Sequence, residues 1–479
     1  MPTLEELQQV MRERLGDVGI AVDTGIPARR DRDRAPLSFS QRLVWGHQQR
    51  VPDSTANNIC LTFTYTGEVD ADALRHALFG VVRRHEILRT TYHCDDDGVP
   101  YQRIHADFPP PLRTVDLRDT EDADERLRSL VAEAATEVFD LATESSVRLT
   151  FVNLPPDDAG APRLAVVIAM QHIVWDGMTL PAMARDTARF YDAARLRALD
   201  SADADAEIAV DPLTPQVADA AEWEQDRFTR ADHSADIRFW EEQFGGDIPT
   251  ASLPYDRRPD AASERSARLD RNLSDAAEAN LRALGAELRM PPFSVFLAAY
   301  YLALRAITGR TDILIGTTVA NREEAGLRAL VGNFSNSIPL RIQGQGNDFG
   351  ELVTHVRAVT DAAFDHRTFP FEHIIEIARK ATGDEHAYPF DSLVLFLDQK
   401  IDGIALPGAE MTWELADKGR IALPLTVEAF MHPDHTEVQI SYQVDLFDES
   451  TVARLHDHID AILSAAAAHA PYAGLLPDE

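Results

Sequence analysis

The chain has 479 residues, 45% of them hydrophobic and 26% charged, with a formal net charge of -33. That composition describes a globular chain long enough for two or three cores, and an acidic balance of this size argues against nucleic-acid and anionic-membrane partners. Two cysteines make no disulfide framework, no signal-peptide segment opens the chain, and no apolar run is long enough to span a bilayer, so we expect a cytoplasmic protein in a reducing compartment.

Residues 3 to 15 place Leu4, Leu7, Val10, Met11 and Leu15 at helical spacing. Residues 21 to 35 hold Pro, Gly and charges without an apolar period. Residues 1–35 therefore read as a helix and a linker, with Arg29, Arg30, Arg32 and Arg34 solvated. From Pro36 the pattern becomes dense. Residues 59 to 66, "ICLTFTYT", predict a strand, and Leu74, Leu78, Val81 and Val82 predict a helix beyond it. "LRTTYHC" predicts a strand ending in the turn "DDDG", and residues 120 to 138 an amphipathic helix. "SVRLTFVNL" and "RLAVVIAMQHI" predict neighbouring strands. The second is apolar on both faces and so central. A helix follows "WDG", with Thr179 as its cap and Pro181 early in it.

Residues 197 to 215 are rich in Ala, Asp and Pro and read as a linker between a first lobe, 36–196, and a second, 216–479. The second lobe repeats the alternation. "ARLDRNL" predicts a strand and residues from about 275 a helix, and "SVFLAAYYLALRAITG" a buried helix ending at Gly309. "DILIGTTVA", "NSIPLRI", "SLVLFLD", "LPLTVEAFMH" and "EVQISYQVD" predict strands, and 449 to 468 a last helix. The fold class is α/β, with two similar sandwich lobes and a cleft between them.

The chemistry gathers at residues 166 to 183, "VVIAMQHIVWDGMTLPAM". A buried strand ends at His172, whose imidazole can take or give a proton near neutrality. Asp176 can hold that imidazole, or pair with an arginine and brace the loop. Gly177 permits a backbone angle or a close approach that a side chain would block. "MHPDHTE" (431–437) reads as a hairpin tip, and we assign no metal. No GxGxxG, P-loop or GxSxG motif is present, so no nucleotide cofactor or serine hydrolase is expected.

The segments "PLSFSQRLVW" (36–45), "RRHEILRTTY" (83–92), "MQHIVWDGMTL" (170–180), "VGNFSNSIPLR" (331–341) and "RTFPFEHII" (367–375) occur in the order and at the spacing of a known set. Together with "FWEEQFGG" and "LPYDRRP" they resemble the condensation domains of nonribosomal peptide synthetases, over roughly residues 36 to 465. That family belongs to the chloramphenicol-acetyltransferase-like superfamily. The resemblance implies two lobes in a V with an active-site tunnel between them. It implies an acyl or aminoacyl thioester, carried on the phosphopantetheine of a carrier protein, and an acceptor amine or alcohol that attacks it. No cofactor would be bound. The partners would be carrier proteins and other synthetase domains, and the state monomeric. The family's HHxxxDG motif maps its second His to His172, its Asp to Asp176 and its Gly to Gly177. His172 would accept a proton from the nucleophile or orient it. Arg322, in "TTVANR", stands where the family carries a partner for the aspartate. Arg89 is a candidate brace of the loop, His85 and Glu86 are structural, and Trp45 and Gln41 pack between lobes. Trp175, Asn333 and Ser335 are candidate tunnel residues.

The first His of the motif is Gln171 here. Alternation along a strand turns Gln171 and His172 to opposite faces, so Gln171 is expected to be a structural replacement. Two other readings stay open: a carrier-docking module without catalysis, motivated by Gln171, and a stand-alone acyltransferase using acyl-CoA or acyl-carrier donors. The ending "YAGLLPDE" resembles a linker into an adenylation domain and suggests an excised domain.

Overall fold

Fourteen strands and eleven α-helices are formed among the described residues of this computed structural model, which are 25–200, 213–246, 253–259, 263–324, 326–344, 346–398 and 402–475. The expected helix at 3–15, most of the 197–215 stretch and the last four residues lie outside them. The strands are β1 (Arg34–Pro36), β2 (Asn58–Gly67), β3 (Thr90–Cys94), β4 (Pro100–Ile104), β5 (Leu112–Asp116), β6 (Val147–Leu154), β7 (Arg163–Gln171), β8 (Ser266–Asn272), β9 (Asp312–Val319), β10 (Asn336–Gln343), β11 (Ser392–Leu397), β12 (Ala409–Leu415), β13 (Leu425–Met431) and β14 (Thr436–Gln443). The helices are α1 (Phe39–Arg50), α2 (Ala71–Arg84), α3 (Ala123–Thr136), α4 (Thr179–Asp200), α5 (Val217–Arg230), α6 (Ser234–Gln243), α7 (Asp275–Leu288), α8 (Pro292–Thr308), α9 (Phe349–Asp365), α10 (Phe371–Thr382) and α11 (Glu449–Ala465).

Two large sheets each support a core. The first has the order β12-β2-β7-β6-β5, and the second β10-β9-β11-β13-β14-β8. β7 is the middle strand of the first, as its two apolar faces predict: all its residues but Arg163 are buried. α2, α3 and α4 bury Leu74, Leu78, Val131 and Phe190 against this sheet. In the second core α8 is buried without interruption from Ser294 to Leu304, so it must be apolar all round. Gly309, at φ 67°, ends α8 in the left-handed region, where glycine carries no side-chain penalty. A small sheet, β1-β4-β3, stands apart.

The two halves are sewn together. β12, from the second half, pairs antiparallel with β2 along its whole length and forms the edge of the first sheet. Further joints are Tyr65 Oη to the Ile404 carbonyl (2.8 Å), His47 to Glu264 (2.7 Å) and Arg42 to Glu372 (3.3 Å). A division of the chain near residue 200 thus leaves β12 with the wrong half.

Residues 25 to 35 correct the reading of a solvated linker in part: Arg30, Arg32 and Arg34 are exposed as expected, but the segment is tied to the body. Ile26 joins the first core, and β1 pairs with β4. Arg29 is buried between Glu86 (2.8 Å) and Asp219 (2.9 Å). The sequence shows no apolar period there because isolated contacts hold the segment: Ile26 in the core, the β1–β4 pairing and the Arg29 ion pairs. Gln41 also acts locally, forming with Ser38 the capping box that starts α1. Among the described residues no single helix is long and apolar enough to cross a membrane.

Candidate active site

β7 carries the chain to His172 and stops. Gln171 is the last residue of the ladder, opposite Asn58 of β2, and the His172 N–H donates to the Asn57 carbonyl at 2.7 Å. The chain then tightens into one 3-10 turn, His172–Val174. Gln171 shapes that turn: its Oε1 accepts from the Ile173 N–H at 2.5 Å. Its Nε2 is a buried donor without a partner among the described residues. The glutamine therefore satisfies one end of its amide and leaves the other dry, which costs free energy unless something else uses it.

His172 is half-buried. Asn333 brackets its Nδ1 edge. Its Nδ2 lies 3.1 Å from the His172 carbonyl and 3.4 Å from Nδ1. Asn333 is in turn fixed by Ser335, whose Oγ donates to Oδ1 at 2.8 Å, and by Ser40, whose Oγ donates to the Asn333 carbonyl at 2.7 Å. No hydrogen bond engages Nε2 among the described residues. Burial pushes the imidazole down to about 4, and the nearby Lys418 charge adds to this. The ring is thus neutral at physiological pH.

Asp176 and Arg322 meet from opposite halves of the chain. Arg322 Nε donates to Oδ2 (3.0 Å) and Nη2 to Oδ1 (2.7 Å), a fork matched to a carboxylate. Its remaining N–H groups go to the carbonyls of Leu327, Leu330 and Gly332, all at 2.7 Å. All five guanidinium donors are used, in a pair whose side chains are 2% and 4% exposed. Burial pushes the Asp176 carboxyl up, while Arg322 and the N–H groups of Phe334 and Met178 oppose this. With every donor satisfied, both groups can remain charged. The pair ties the turn after β7 to the loop 327–334, which presents Asn333.

Three expectations change. Thr179 does not cap α4. It clasps Gly332, with Oγ1 donating to the Gly332 carbonyl (3.1 Å) and accepting from its N–H (3.3 Å). Gly177 is exposed, has no positive φ, and nothing lies within 4 Å of where a Cβ would stand. Neither an unusual backbone angle nor a close approach explains it. Gly177→Ala is therefore expected to change stability by no more than about 0.5 kcal/mol, as at an unremarkable surface position. Thermal unfolding checks this, and any accompanying loss of transfer would then report on ligand passage rather than on folding. Arg89 does not brace the active-site turn: its partners are Glu86 (3.4 Å) and the His105 carbonyl. His85 fills that role. Buried, it contacts Asp186 of α4 through Nε2 (2.8 Å) and accepts the Val331 N–H at Nδ1 (3.1 Å). Trp175 is half-buried against the first core, and its backbone N–H donates to the His172 carbonyl at 3.1 Å.

Sequence reasoning missed Lys418 and the His47–Glu264 pair, neither of which lies in a motif. Surface hollows of about 650, 830 and 300 Å³ occur elsewhere, none lined by His172, so the site is defined by its side chains.

The family model for the Condensation domain matches residues 31–472. The chain belongs to the condensation-domain family. This condensation domain is 30% identical over 458 residues to phosphinothricin tripeptide synthetase PhsC of Streptomyces viridochromogenes, covering 93% of this chain and 40% of that protein. It is 30% identical over 448 residues to a dimodular nonribosomal peptide synthase of Bacillus subtilis, covering 91% of this chain and 18% of that one. The chain thus spans well under two thirds of these relatives. Among solved structures, the X-domain from teicoplanin biosynthesis superposes with a TM-score of 0.78 at 26% identity, over 92% of this chain and 96% of that one. The condensation domain of the monacolin K polyketide synthase MokA gives 0.75 at 21%, over 90% and 96%. The expected chloramphenicol-acetyltransferase-like α/β fold stands.

Proposed function

We propose that this condensation domain transfers a carrier-bound acyl or aminoacyl group from its phosphopantetheine thioester to an acceptor amine or alcohol. The observation that carries the proposal is the neutral His172 ring on a backbone fixed by Asn57 and Asn333, with Nε2 unengaged among the described residues. Holding the proton on an imidazole at about 4 costs on the order of 4 kcal/mol at neutral pH. In the tautomer with the proton on Nδ1, where Asn333 Nδ2 donates to the His172 carbonyl alone, Nε2 is a hydrogen-bond acceptor, and His172 suits orienting the nucleophile better than storing its proton. The nucleophile's nitrogen or oxygen bonds to the thioester carbon, the C–S bond breaks, and the nucleophile's proton leaves with the thiol. Asp176 and Arg322 hold the loop that presents Asn333. Donor and acceptor carriers approach from opposite sides of the lobe junction.

The test is intact-mass detection of transfer from loaded carrier proteins to a panel of amines and alcohols. A second prediction concerns pH. With an alcohol or weakly basic amine as acceptor, the acid limb assignable to His172 is expected well below 6.5, toward about 4. A His172-dependent limb near 6.5 would contradict the neutral, desolvated ring. The sign for stability follows. The folded ring binds its proton more weakly than the unfolded one. Its contribution is full above about 6.5 and is lost as pH falls toward about 4.

Gln171, with its unpartnered Nε2, favours a second reading as a docking module. One solved neighbour, with a TM-score of 0.80, is an X-domain in complex with OxyB. Carrier binding without transfer, across a panel that a control enzyme processes, would select this reading.

A further inference from the structure

Lys418 follows β12, the strand that crosses from the second half to the first sheet. Its Nζ donates to the Asn58 carbonyl at 2.9 Å. Asn58 stands opposite Gln171, and the adjoining Asn57 carbonyl holds the His172 N–H. The ammonium is thus pinned at the strand end from which His172 projects.

The charges around the ring are few. On its own turn, Asp176 is occupied by Arg322. Across from it, Asn333 is neutral. On α1, His47 stands behind Asn57 (2.9 Å) and is held by Glu264. Lys418 is the cation whose charge acts on the ring. Lys418 itself is faced by Asp417 beside it, Glu428 of β13 and Glu264 before β8, all acidic. Burial pushes the Lys418 ammonium down to about 8; these carboxylates oppose this, and it stays charged at neutral pH.

We propose that Lys418 is a positioning residue for His172: a cation carried across from the second half, pinned at the strand end that bears the ring, which adds to burial in opposing protonation of the imidazole. The proposal rests on the reading of His172 as the active-site histidine. It also makes the state of that ring depend on the docking of β12, because undocking the strand removes the charge.

The test separates charge from contact. Lys418→Gln keeps an N–H for the Asn58 carbonyl and removes the charge, whereas Lys418→Arg keeps the charge. The probe is the titration of His172 in 13C-histidine-labelled full chain, its resonance assigned among the 16 histidines by its loss in His172→Gln. Lys418→Gln is expected to raise the midpoint by about 1 pH unit and to carry the acid limb of transfer with it. Lys418→Arg is expected to leave both in place, and it serves as the check should the glutamine variant fold poorly. An unchanged midpoint in Lys418→Gln, or an equal rise in Lys418→Arg, overturns the proposal. A raised midpoint in a protein that transfers nothing upholds the coupling and counts against the catalytic reading instead.

Discussion

His172→Ala is expected to lower acyl transfer by roughly 10²–10⁴-fold, the range for removing a positioned acid–base or orienting group. The fold should survive. The backbone N–H that anchors position 172 to Asn57 is kept by alanine, and the half-buried ring supports no core layer. Carrier affinity should therefore be unchanged while the chemical step fails, a combination that distinguishes a lost catalytic group from a lost structure. Intact-mass kinetics with wild type and variant on the same loaded carrier provide the measurement. Transfer undiminished by the substitution would remove His172 from the chemistry and leave the docking reading.

The largest effect on stability is expected at the other end of the same turn. Arg322→Ala removes five donors at once and leaves Asp176 buried with two backbone N–H groups and the Thr179 hydroxyl for company. An uncompensated buried carboxylate costs ~3–5 kcal/mol. Asp176→Ala should cost a similar amount, since the guanidinium is then left among three carbonyls without a counter-charge. The double variant should lose less than the sum, because it leaves no unpaired charge. Lys in place of Arg322 should not restore the loss, as a single ammonium lacks the planar fork. Urea unfolding of the four proteins measures all of this. A loss below about 1 kcal/mol in Arg322→Ala would mean that the pair is not ionised in the folded protein. Transfer should fall in the same variants, since the loop that carries Asn333 loses its anchor to the β7 turn.

Much of this site was legible because its parts follow local rules. The two-faced apolarity of β7 placed it at the sheet centre, and its end placed His172. The unbroken apolar run of α8 and the glycine after it marked the second core and its boundary. The motif spacing also brought Arg322 to notice. What stayed illegible depends on partners far along the chain. Arg29 looks solvated until Asp219, 190 positions away, is brought beside it. Lys418 has meaning only against Asn58, 360 positions earlier. Arg89 and His85 sit four residues apart in one motif, and only packing decides that His85 reaches the active-site loop. β12 alternates Ala409, Met411 and Trp413 with Glu410, Thr412 and Glu414, a readable strand period, but nothing in that pattern names the distant β2 as its partner.

That strand has a consequence for how the molecule can be divided. β2 is saturated on both sides, by β7 and by a strand encoded some 340 residues later. Expressed alone, the first half would present the groups on the β12-facing side of Leu61–Gly67 as a bare edge, rich in threonine and aromatic residues and open to pairing with another copy. The halves are thus not interchangeable cassettes. An exchange of lobes between two relatives must move β12 and the segment bearing Lys418 together with the first sheet, even though the gene order places them in the other lobe.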